Sequence, residues 1–112
     1  MRNLSMLMLA LASFAAPPVV AAGGNIDIIS PVEGAKLDAK AENKMEYNVT
    51  LGESGGHIHV YVDGEEMAVL RQIKGSYTLE PLAKGKRDIC IKIVNKNHTP
   101  SGVERCVKVT VD

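Results

Sequence analysis

Tryptophan is missing from all 112 residues, and the single phenylalanine, Phe14, sits near the amino terminus. So few large aromatics exclude a carbohydrate or peptide platform built on ring stacking. Charge of one sign is lacking too. Arg2 aside, twelve basic residues face thirteen acidic ones, which leaves no field to attract nucleic acid or an anionic membrane. Cysteine is scarce, at two, and forms no Cys-x-x-Cys. No Ser-His-Asp arrangement, paired-carboxylate site or phosphate loop is legible, so the chain does not read as an enzyme.

What is present starts with an export signal. Arg2 precedes the apolar run Leu4 to Ala16, and PPVVAAGG follows. One positive charge, an apolar centre and small residues before a cut describe a secretory signal peptide. Val20-Ala21-Ala22 fits the small-x-small requirement, so cleavage is expected before Gly23, giving a signal peptide over 1–22 and one domain over 23–112. The apolar centre is short for a bilayer span and no second such run follows, so no membrane insertion is expected after cleavage. No cysteine stands at the cut to carry a lipid. The expected address is the periplasm. A chain this short buries only about 60–65% of its unfolded surface, so a covalent staple would help it.

Val, Ile and Thr dominate the remainder, and the residues alternate. NIDIIS (25–30), KMEYNVTL (44–51), HIHVYV (57–62), EEMAVLRQI (65–73), SYTLEPL (76–82), RDICIKIV (87–94) and ERCVKVTV (104–111) read as strands, with PVEGAKL as a loop. Asp63-Gly64 is a tight-turn signal. Seven short strands at regular spacing, without a convincing helix, predict an all-β fold: an immunoglobulin-like or fibronectin-type-III-like antiparallel β-sandwich.

Cys90 and Cys106 fall out of phase with the inward Ile and Val residues of the last two strands. Paired as a hairpin, these strands set the two cysteines opposite each other, about 4.5–5.5 Å apart at Cα. In an exported chain that predicts a disulfide. A cysteine-containing copper site is the alternative, but nothing visible would keep the thiols reduced.

The chain has three histidines, His57, His59 and His98. On a strand, residues i and i+2 share a face about 6.6 Å apart, so both rings of HIH can turn toward one ion. Alone the pair is a weak sign, since wet strand faces carry polar side chains routinely. Topology strengthens it. In immunoglobulin-like order, RDICIKIV runs antiparallel beside HIHVYV, and its exit loop NKNHTPSG hangs where HIHVYV begins. All three histidines then meet at one end of one sheet. Three imidazoles suit copper(II), set first, or zinc(II). Glu104, in phase with Cys106, is a candidate fourth ligand or a group supporting the ligands. Met67 would offer a thioether only if its strand abuts HIHVYV. In the competing reading Asn95, Asn97 and His98 merely satisfy loop backbone. Asn48-Val49-Thr50 and Asn97-His98-Thr99 match the glycosylation pattern and are read as chance.

GHIHVYVDG, YTLEPLAKGKRDICIKIV and NKNHTPSGVERCVKVTV together resemble a family of small exported bacterial domains of unassigned function. The resemblance implies an immunoglobulin-like sandwich with a histidine-rich strand start and an Asn-His-x-Pro loop. It places His57, His59 and His98 on the family's histidines, with Asn97 and Pro100 beside them. Leu79 to Gly85 is similar to the corner before the penultimate strand of fibronectin-type sandwiches. The Cys90–Cys106 pair departs from the family. The expected function is periplasmic metal binding for storage, delivery or sensing, with a metal ion and a further periplasmic protein as partners. The alternative is a structural or protein-interaction module of the cell envelope with incidental histidines.

Overall fold

Eight strands in two sheets make up the described part of the molecule, residues 23–112 of a computed structural model. They are β1 (Asn25–Ser30), β2 (Lys36–Leu37), β3 (Lys44–Thr50), β4 (His57–Val62), β5 (Glu65–Leu70), β6 (Lys74–Thr78), β7 (Gly85–Val94) and β8 (Pro100–Val111). One sheet has the order β1-β3-β6 and the other β2-β8-β7-β4-β5. Among the described residues there is no helix. The expected signal peptide lies outside the described residues.

The alternation in the sequence is what divides inside from outside. Ile26 and Ile28 of β1 and Met45, Tyr47 and Val49 of β3 point inward and are buried. Ile58 and Val60 of β4, Ile89, Ile91 and Ile93 of β7, and Val107, Val109 and Val111 of β8 meet them from the second sheet. Each such side chain contributes about 1.5–3 kcal/mol when fully buried. The Tyr47 hydroxyl, the polar end of a buried ring, donates to the Gln72 carbonyl at 2.8 Å.

Several features of the reading from sequence are corrected, among them the end of β5 at Leu70 and the start of β8 at Pro100. The stretch read as a loop, PVEGAKL, contains β2, a two-residue strand parallel to β8 through Lys36↔Thr110 and Leu37↔Val111. Two residues are too few for alternation to show. Strand β6 ends at Thr78, before the segment read as SYTLEPL does, and Leu79 and Leu82 reach the core from the corner that follows. HIHVYV is therefore the fourth strand, and RDICIKIV lies within the seventh. Their adjacency holds, antiparallel from His57↔Val94 to Val62↔Ile89. Asp63 and Gly64 close the β4–β5 hairpin with φ of 52° and 84°, the left-handed pair that a two-residue turn requires.

Candidate metal centre

His57 and His59 lie on the outer face of the five-stranded sheet, yet they are only 1% and 3% exposed. Outer phase predicts solvent. The β7–β8 loop changes this by folding back over the start of β4. Val94 stands opposite His57, and the chain then turns through Lys96, Asn97 and His98. The His98 amide donates to the Asn95 carbonyl at 2.9 Å, and the Asn95 amide donates to the Thr99 carbonyl at 2.9 Å. His98 takes φ 66°, so the loop is a turn followed by one left-handed residue. Glycine usually fills that place.

Gly56 lets the loop come so close. A Cβ built there would stand 2.9 Å from the Lys96 backbone nitrogen and 3.1 Å from the Asn95 carbonyl carbon. The Gly56 amide itself donates to the Val94 carbonyl at 2.8 Å. The glycine before HIH thus has a physical role: it admits the backbone that carries the third histidine.

The three rings converge on one point. His57 Nε2 is 3.1 Å from His59 Nε2 and 3.2 Å from His98 Nδ1, and His59 Nε2 is 3.1 Å from His98 Nδ1. A neutral imidazole carries one N–H and one lone pair, so three nitrogens this close cannot all be satisfied by one another. At most one can donate into the triangle without opposing a second proton. A cation at the centre satisfies all three lone pairs at once.

Charged and aromatic groups surround the rings. Glu66 Oε1 lies 3.2 Å from His59 Nδ1, off the axis of a hydrogen bond. A small turn of that carboxylate gives the buried Nδ1–H an acceptor and leaves Nε2 free as a ligand, the usual support for a metal-bound histidine. Burial pushes the His57 pKa below its ordinary value, and the charges of Arg71, His98 and His59 push it the same way. The Tyr61 ring stands 6.4 Å from that of His59, with Lys92 Nζ 4.3 Å from the Tyr61 centroid.

The competing reading of the loop divides by residue. Asn95 does satisfy backbone, its Oδ1 accepting from the Asn97 and Thr99 amides at 2.8 and 3.0 Å. The His98 ring turns to the other two histidines instead. Glu104 does not join them. It pairs in register with Lys92, and its Oε2 lies 3.4 Å from Cys106 Sγ. The carboxylate beside the cluster is Glu66, which the sequence reading missed. Its signal was the Asp63-Gly64 turn, because a two-residue hairpin sets Glu66 opposite Tyr61 and on the face of His59. Strand β5 does abut β4, but Met67 falls in the irregular pairing between Glu66 and Ala68, while His59 faces Val69.

Cys90 and Cys106 are opposite each other in β7 and β8 and form a disulfide, with 4.0 Å between Cα atoms, somewhat closer than expected. It lies on the same outer face, one pair along from the level of His59 and Lys92.

No family model and no curated protein matches the chain. Solved structures match its fold. A Clostridium thermocellum CbhA fibronectin(III)-like module superimposes with a TM-score of 0.63 at 15% identity, over 78% of this chain and 95% of the module. A Jonesia denitrificans lytic polysaccharide monooxygenase aligns at 0.52 and 18% identity, over 73% of this chain and 60% of that one. An engineered protein aligns at 0.55 and 16% identity, over 80% of this chain and 20% of its own. At these identities the likeness concerns the fold, an immunoglobulin- and fibronectin-type-III-like β-sandwich.

Proposed function

We propose that this protein is a non-enzymatic, exported module that binds one divalent transition metal, copper or zinc, through His57, His59 and His98. The carrying observation is the triangle of ring nitrogens 3.1–3.2 Å on a side. Two of its histidines are buried, the third is held in a left-handed conformation, and a carboxylate stands behind one of them. Imidazole suits both ions, and no thiolate competes because both cysteines are in the disulfide. In the periplasm such a module would store, deliver or sense its metal.

A second reading has support in the fold. A fibronectin-like sandwich suits a structural or protein-interaction module of the envelope, and Ile29 and Val32 expose 50% and 61% of their surface near one edge. Thermal unfolding separates the two. Metal bound only to the native state stabilises it by about 2.7 kcal/mol at a hundredfold excess over the dissociation constant. The melting temperature is expected to rise on adding copper(II) or zinc(II) to the wild type, and not in the triple His57→Ala, His59→Ala, His98→Ala variant. Equal shifts in both proteins would leave the interaction-module reading in its place.

A further inference from the structure

Three imidazole nitrogens supply only part of a transition-metal shell, and their spacing fixes which part. With metal–nitrogen bonds of about 2.0–2.1 Å, right-angle donors stand about 2.9 Å apart, tetrahedral donors about 3.4 Å and trans donors about 4.1 Å. The three separations here are 3.1, 3.1 and 3.2 Å. Three donors in a square plane would include one trans pair, and none of these is trans. The triangle is a facial cap, with angles between right-angle and tetrahedral values. Such a cap suits zinc(II) or cobalt(II), and also copper(II) with one of the imidazoles axial.

A facial cap leaves the far side of the ion without a donor. Among the described residues, the cluster of His, Cys, Asp and Glu ligand atoms within 4.8 Å of one another stops at the three histidines. Glu66 is beside His59 Nδ1, on the side of that ring away from the triangle. Charge points the same way. Neutral imidazoles leave both positive charges of the ion uncompensated. Among the described residues Glu66 is the carboxylate within 4 Å of a cluster ring nitrogen, whereas Arg71 acts on His57 and Lys92 stands level with His59.

We propose that the bound ion takes its remaining ligand from outside the chain, and that this ligand is a water exchangeable for a small monoanion. This rests on the metal-binding reading and adds to it that the site presents the ion to a second molecule.

Cobalt(II) is the probe, since four-coordinate cobalt absorbs strongly in the visible range and responds to each change of ligand. The wild-type protein with one equivalent of cobalt(II) is expected to show these bands. Acetate, and azide as a stronger donor, should each shift them along a saturable one-to-one curve. His98 is exposed on a loop, so His98→Ala keeps the fold and should lose both the bands and the response. Histidine-dependent bands that ignore both anions up to saturating salt would overturn the exchangeable ligand and leave metal binding standing. The absence of one-to-one, histidine-dependent cobalt binding would overturn both.

Discussion

His98 holds φ 66° in a loop position where glycine would sit without strain. A left-handed non-glycine residue costs on the order of 1–3 kcal/mol and persists where something else requires the side chain. Here its ring completes the triangle with His57 and His59. His98→Gly is therefore expected to raise metal-free stability by about 1 kcal/mol, net of the extra freedom glycine gives the unfolded chain. It should also abolish the metal-dependent rise in melting temperature. Paired thermal melts with and without zinc(II) check this, and a variant that loses stability without metal would contradict it. His57 makes a second expectation. Its folded pKa lies below the ordinary value, chiefly through burial, so the unfolded chain takes up the proton first as pH falls. The stability this provides is fully present above about pH 6.5 and is lost as pH falls from there through the folded pKa. Melting temperatures of the metal-free wild type should drop over that range more than those of His57→Gln. The three histidines were legible as a group because strand order alone brings them to one end. Their burial was not, because it comes from a loop folding back rather than from alternation.

The start of β4 and the β7–β8 hairpin act as one unit, joined where Gly56 meets Asn95 and Lys96. Strand β4 carries two of the clustered histidines in fixed register, and the hairpin carries the third. Gly56→Ala would set a methyl group 2.9 Å from the Lys96 nitrogen, so the loop has to move by several tenths of an ångström. All three histidines remain in that variant. Its metal affinity is nevertheless expected to fall about tenfold, in line with the loss when groups that position ligands are disturbed. Titration with zinc(II) measures it, and unchanged affinity would show that loop placement is not limiting. The sequence contained this element in part. Alternation located β3, β4 and β7 well because their inward residues are uniformly Ile, Val, Met or Tyr. The beginning of β8 was hidden because Pro100, Ser101 and Gly102 do not read as strand, and the pairing with β7 shifts register there. Glu66 was hidden in a weak edge strand, although the Asp63-Gly64 turn fixed its register with β4.

At the scale of the whole molecule, a small two-sheet sandwich carries its disulfide and its histidine cluster on one outer face. The disulfide joins β7 to β8, and the histidine cluster joins the β7–β8 loop to β4. The bridge spans 16 residues of sequence, for which restricting the unfolded chain is worth about 3 kcal/mol. The Cys90→Ala, Cys106→Ala double variant is expected to fold, with stability lowered by up to about 3 kcal/mol, and to keep its metal response. Mass spectrometry of the non-reduced protein should find the linked form, two mass units below the reduced one; full alkylation under native, non-reducing conditions would contradict it. The fold class was legible because regular strand spacing and turn residues leave few other architectures. The chemistry of the face was legible only once strand order was assumed. The most direct test is X-ray absorption of the protein loaded with one equivalent of zinc(II). Binding through His57, His59 and His98 predicts three imidazoles at about 2.0–2.1 Å with one further light ligand. A spectrum with one imidazole or none, its remaining donors oxygen, would contradict the three-histidine centre.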